Sequence, residues 1–210
     1  MKDIFKLLEG KWEDGTRPKD VYKLYVSKDP EKYVEKIVEG LQSDTRRIQS
    51  GCAELASLLS EHNPELLYSN IDVFLENLDA KAPVLRWESV CTLGNLASVD
   101  KKKRIPKHLD EIATHLTSKS IVLQGHTVRA LAKIAKENPE IAKKILDLLL
   151  ASKKLFPGNR IGFLVEAMGS FMRNKTLAPI AGKLAKAYVK SEFKSVAKKA
   201  KKVMKLFPSE

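Results

Sequence analysis

Few residues of this chain have the types and spacing that chemistry needs. Arg86, Trp87 and Glu88 are the most suggestive, because a cation, a stacking surface and a carboxylate stand side by side. A tryptophan at such a point can stack on a base or a peptide. We expect packing between repeats instead, since the equivalent positions in the pattern described below, Gly125 and Gly162, leave space for a ring. The histidines His62, His108, His115 and His126 lack metal-ligand spacing, and no Cys or His completes a set with them. Cys52 and Cys91 fit reduced, packed thiols better than a disulfide or a metal site. There is no Gly-rich phosphate loop, no GxSxG elbow and no HExxH. The reading is therefore of a protein that is not an enzyme, with no catalytic residue, no cofactor and no metal assigned.

The remaining chemistry is electrostatic. The net charge of +12 is unevenly spread: residues 1–100 sum to −5 and residues 101–210 to +17. Such asymmetry points to an acidic partner for the basic half. Of the bases, 30 are Lys and only 8 Arg, so bidentate phosphate clamps are few and diffuse attraction is favoured. Lysine enrichment also suits proteins from hot environments, a reading that needs no ligand. Lys101, Lys102, Lys103 and Arg104 form a basic knot that is expected to be a solvated loop.

The elements that must carry these charges are set by a repeat. The stretch VLRWESVCTLGNLASV, Val84 to Val99, has the apolar spacing of an amphipathic helix. With Leu93 as origin, its pattern returns at Leu55, Leu131, Met168 and Ala200, at intervals of 38, 38, 37 and 32 residues. An apolar residue stands three before each origin and further ones three and four after it. The residue next after the origin is small in the first four copies (Ala56, Gly94, Ala132, Gly169). Asp29-Pro30, Asn63-Pro64 and Asn138-Pro139 mark starts of the preceding helices, each pairing an N-cap side chain with proline at the first helical position. Pro106 and Pro179 mark looser versions of the same start. The A helices are expected over 30–41, 64–78, 106–117, 139–152 and 177–190, and the B helices over 44–62, 83–99, 121–137, 160–174 and 192–206. Residues 1–28 break the period and read as a helical cap, with Trp12 covering the first repeat and Val21, Leu24 and Tyr25 facing inward. In the last helix Phe193, Val196, Ala197, Ala200, Val203 and Phe207 form the apolar stripe, and lysines form the rest.

The period, the prolines and B helices such as VLRWESVCTLGNLA and HTVRALAKIA resemble the HEAT-repeat (armadillo-like) α-solenoid family, over residues 29–207. The resemblance implies an all-α, right-handed α–α superhelix of about five helical hairpins behind the N-terminal cap, with residues 29–210 as the array. It also implies B helices lining the concave side. Their open positions are then two before, two after and five after each origin: Ala53, Ser57, Ser60; Cys91, Asn95, Ser98; Arg129, Lys133, Lys136; Glu166, Ser170, Arg173; Lys198, Lys202, Lys205. The stripe runs from neutral to basic. Arg129, Lys133, Lys136, Arg173, Lys198, Lys202 and Lys205 are the expected partner-binding residues. The function expected is a non-catalytic scaffold holding an acidic protein or peptide. Sequence-independent binding of DNA or RNA by the same face is the alternative. HEAT-like DNA alkylation glycosylases share the hairpins, but they use tryptophans and an aspartate on the concave face, where this stripe has no Asp. No membrane segment or signal peptide is legible, so a cytoplasmic protein is expected; the oligomeric state is not legible.

Overall fold

A computed structural model describes residues 2–206; the Phe207 of the expected last stripe lies outside the described residues. The described residues are helical, with no strand among them. They fall into two compact units, one ending at Lys103 and the other beginning at Arg104. The architecture is an all-α solenoid of helical hairpins.

In the first unit, α1 (Ile4–Glu9) and α2 (Pro18–Leu24) precede the hairpin of α3 (Val34–Leu41) and α4 (Arg46–His62). The second hairpin has a broken A side, α5 (Pro64–Leu67) and α6 (Ile71–Glu76) with 3-10 turns at Tyr68–Asn70 and Asn77–Asp79, and its B helix is α7 (Pro83–Leu96). Helix α4 is the hub, touching α1, α2, α3, α5 and α7. The second unit contains α8 (Arg104–Lys107), α9 (Leu109–Thr114), α10 (Ile121–Glu137), α11 (Pro139–Ala151), α12 (Ile161–Ala167), α13 (Ala178–Ala187) and α14 (Lys194–Met204). Here α12 bridges α10 and α14, so three B helices lie in sequence.

The origin of the repeat is the axis of each core. Leu55, Leu93, Leu131, Met168 and Ala200 are all at 0% exposure. The apolar positions three before are equally sealed at Cys52, Val90, Val128 and Val165. Burial of side chains of this size stabilises each unit by about 1.5–3 kcal/mol apiece. The cap follows the same logic: Leu8 of α1 sits against Gly51 of α4, and Arg47 Nη1 donates to Gly10 O. Trp12 is half-buried and donates its indole N–H to Leu8 O at 2.9 Å, turning back on its own helix. In α2 it is Val21 and Tyr22 that are buried, while Leu24 is 40% exposed.

Pro64 and Pro139 open helices as expected and Pro30 opens a 3-10 turn, whereas Pro106 stands third in α8 and Pro179 second in α13, and the residues before Pro30, Pro64 and Pro139 do not cap. Asp29, Asn63 and Asn138 make no side-chain capping bond. Asp29 pairs with Lys32, and Asn138 donates from Nδ2 to Ile134 O at 2.9 Å, tying it to the helix behind it. Serine organises the hairpin turns: Ser43, Ser118 and Ser191 each accept the N–H two residues on, of Thr45, Ser120 and Phe193. These small side-chain turns bring the chain into α4, α10 and α14 in extended geometry. Polar residues such as Ser69 and Asn70 compete with the helix for backbone groups, and there the A side loosens into 3-10 turns.

Gly40 is the tightest crossing. A Cβ there would overlap Cys52 Sγ and lie 2.8 Å from Phe5 Cε1. Gly40→Ala should therefore cost about 1–3 kcal/mol in urea unfolding despite alanine's better helix propensity. Gly10→Ala, with open space around it, should change stability by less than about 0.5 kcal/mol. Equal effects of the two would show that α3 and α4 do not meet this closely.

Candidate binding face of the B helices

The stripe expected from the sequence behaves differently in the two units. In the first unit, Ala53 and Ser60 are buried, at 2% and 1%, not open. Helix α4 has neighbours on several flanks, so these positions are covered. Ser60 Oγ donates to Ser57 O at 2.8 Å and receives Asn95 Nδ2 at 2.9 Å, which ties α4 to α7. In the second unit Arg129, Lys133, Lys136, Arg173, Lys198, Lys202 and Lys205 are all exposed.

Two of these residues meet at one cavity. Lys136, near the C-terminal end of α10, and Arg173, beyond α12, line a cleft of about 720 Å³ whose other walls include Ala135, Phe171, Met172 and Leu206. Lys136 pairs loosely with its neighbour Glu137 at 3.2 Å. Arg129 stands over the Phe163 ring, 5.3 Å from its centroid. Lys198, Lys202 and Lys205 point outward from α14, whose inner side is Val196, Ala200 and Val203. His126 adds no charge at neutral pH, because burial and then the Arg129 charge lower its pKa to about 4.

The trio at the start of α7 has structural partners. Arg86 donates from Nε to Ala80 O at 2.9 Å and from Nη2 to the same oxygen, clamping the turn into α7. Trp87 donates to Glu88 Oε1 at 3.1 Å. Glu88 also receives the Ser57 hydroxyl of α4, yet burial, together with Glu54 nearby, lifts its pKa to about 7. Glu54 is raised too, chiefly by burial, with Lys19 opposing. Sequence reasoning missed this paired-carboxylate environment, because Glu54 and Glu88 fall off the derived stripe. The space at Gly125 is taken by Phe163: a Cβ on Gly125 would lie 3.0 Å from ring atoms Cε1 and Cζ. The space at Gly162 faces Val196 and Lys199.

Cys52 is buried, its thiol pushed up to about 12 chiefly by that burial, while Cys91 is half-buried; neither forms a disulfide. Among the described residues no His/Cys/Asp/Glu group is placed to hold a metal ion, and no helix is long and apolar enough to cross a membrane.

No family model matches the chain, and no curated protein matches it in sequence. Solved structures do match, end to end. An engineered protein is similar at 18% identity, covering 98% of this chain and 96% of its own, with a TM-score of 0.65. A designed armadillo repeat protein in complex with the peptide (KR)4 is similar at 15% identity, covering 99% and 100%, with a TM-score of 0.64. Designed armadillo repeat proteins for modular peptide recognition follow at 14% identity, covering 98% and 100%, with a TM-score of 0.59. The fold is that of an armadillo-like helical-repeat protein. The exposed bases of the second unit lie on α10, on α14 and at Lys205 just past its end, and at Arg173 beyond α12.

Glu88 carries a pH prediction. Its folded pKa of about 7 lies above the ordinary 4.5, so the folded state holds the proton more tightly than the unfolded chain. This group's contribution is therefore full below about pH 4.5 and lost as pH rises through 7. Glu88→Gln should flatten the fall in stability between pH 5 and 8. The gain at pH 8 should be about 1–2 kcal/mol, allowing for solvent reaching a half-buried carboxyl. A variant whose pH profile parallels the parent's would show that Glu88 is ionised throughout.

Proposed function

We propose that this protein is a non-catalytic scaffold that holds an acidic protein segment on the exposed bases of α10 and α14 and on Arg173 beyond α12. The observation that carries the reading is the cleft where Lys136 and Arg173, contributed by different repeats, flank the exposed side chain of Leu206. A segment with carboxylates flanking an apolar side chain satisfies both parts of that surface: apolar burial supplies affinity and the charges set register and approach. The designed neighbour is in complex with (KR)4, a basic peptide; the face described here is itself basic, so its partner should be acidic. Repeat spacing suits extended chains, since equivalent side chains recur along the stack.

In this reading residues 1–28 close one end of an array formed by residues 29–210, and Lys198, Lys202 and Lys205 extend the basic track. The cytoplasm is the compartment proposed, where both thiols stay reduced. Nucleic acid is the alternative occupant of the same track. The exposed Leu206 favours protein, because a phosphate backbone gains little from it, whereas a peptide side chain buries against it.

The test is titration of a labelled peptide with alternating Asp/Glu and Leu, beside a DNA duplex of similar charge, across a salt series. The peptide should bind, and the double reversal Lys136→Glu with Arg173→Glu should weaken it about tenfold or more. Tighter binding of the duplex, with a steep log-linear salt slope, would replace the scaffold reading by the nucleic-acid one. Binding of neither would sink both.

A further inference from the structure

A second cleft, of about 680 Å³, opens at the other end of the same three helices, where α10, α12 and α14 begin. Ile121, Asn159, Arg160, Phe163, Ser195 and Lys199 line it. None of these six was singled out by the periodic pattern, and the arrangement is chemically distinct from the cleft at Lys136.

Phe163 forms a platform. It is backed by Gly125, where only a hydrogen lets the ring approach α10, and it meets Phe156 edge-on at 6.4 Å. Two cations accompany the ring: Arg129 at 5.3 Å and Lys199 at 5.5 Å from its centroid. Ile121, 50% exposed, supplies a further apolar surface.

Around that platform stand hydrogen-bond donors. Arg160 makes one long contact, Nη1 to Gln124 Oε1 at 3.5 Å, against the five donors of a guanidinium. Lys199 is held toward the cleft by Glu166 Oε2 at 2.7 Å. Ser195 lies in the first turn of α14, whose N-cap is Phe193 and makes no side-chain capping bond. The positive end of an 11-residue helix therefore faces the same space without a built-in acceptor. Asn159 adds an amide. A guanidinium, an ammonium, a hydroxyl, an amide and an uncapped helix turn are more donors than the two oxygens of a carboxylate can engage. A phosphate monoester has three terminal oxygens and up to two charges.

We propose that this cleft receives a phosphorylated side chain of the bound segment, a phosphotyrosine whose ring lies on Phe163 and whose phosphate meets Arg160, Lys199 and Ser195. The identity of the carrier rests on the scaffold reading above; the anion subsite itself does not.

The experiment compares three versions of one acidic peptide, carrying tyrosine, phosphotyrosine or phosphoserine at one position, by fluorescence anisotropy against the full chain. The phosphotyrosine form should bind about tenfold tighter than its parent. Ser195→Glu should erase that gain, so that the phosphotyrosine form binds the variant no more tightly than its parent does. The substitution places an acid in the first turn of α14, which favours the helix, and an unchanged thermal unfolding curve separates loss of the subsite from loss of the fold. Arg160→Gln, which keeps a partner for Gln124, should erase the gain too. Equal binding of tyrosine and phosphotyrosine forms, or a gain undiminished in Ser195→Glu, overturns the phosphate subsite and leaves the scaffold reading standing. An equal gain with phosphoserine overturns the role given to Phe163. Binding of the phosphorylated peptide alone supports the subsite and overturns the scaffold reading for unmodified acidic segments. Failure of all three peptides overturns both.

Discussion

Everything in this protein depends on how closely successive helices can approach. A helical hairpin cannot bury its apolar face alone; it must lean on the next one, and the distance is set by the smallest side chain at the crossing. Gly51 admits Leu8, Gly40 admits Cys52 and Phe5, Gly125 admits the Phe163 ring, and Gly162 faces Val196. Where the crossing residue is only a hydrogen, a large neighbour fills the gap and the origins of the repeat reach complete burial. The glycines also decide what is displayed. The bare backbone of Gly125 is why Phe163 lies against α10, between two cations, and not outward in water.

The two units use this geometry for different electrostatic ends. In the first, α4 is enclosed on so many flanks that burial raises the pKa of its Glu54, and Glu88 of α7 is held partly protonated near neutrality by surroundings that disfavour its charge. In the second, α10 and α14 keep their outer positions open, and the bases there are exposed to water. The same repeat thus gives a polar network that joins two B helices, through Asn95, Ser60 and Ser57, and a charged face that can be read from outside.

Much of this was legible before any coordinates. The five origins, their apolar companions and the proline starts place the hairpins within a few residues, because burial forces periodicity and proline forces geometry. The face of the second unit was legible for the same reason: Arg129, Lys133 and Lys136 stand where a buried helix must turn outward. What escaped depends on contacts between residues far apart in the chain. Nothing local distinguishes Phe163 from any core phenylalanine until Gly125 is found beneath it. Ala53 and Ser60 follow the open register, yet neighbours cover them. The aspartate and asparagines before the prolines have the right types for caps, but Lys32 and Ile134 O take the side chains of Asp29 and Asn138. The serine turns were within reach, since Ser43, Ser118 and Ser191 recur just before three B helices, but so short a signal is easily hidden in polar loops.

The broken A helices of the second and third hairpins have a consequence of their own. A 3-10 turn closes its ring over one residue fewer than an α turn and bonds less favourably, so Tyr68–Asn70, with Ser69 exposed, is a point where the backbone can be lengthened at modest expense, whereas Asn77–Asp79 and His115–Thr117 hold Leu78 and Leu116 in the core. The A side of the second hairpin is accordingly its tolerant side, where evolution or an engineer can splice in residues and tags. Its B side, the unbroken α7, is the part that must be left alone.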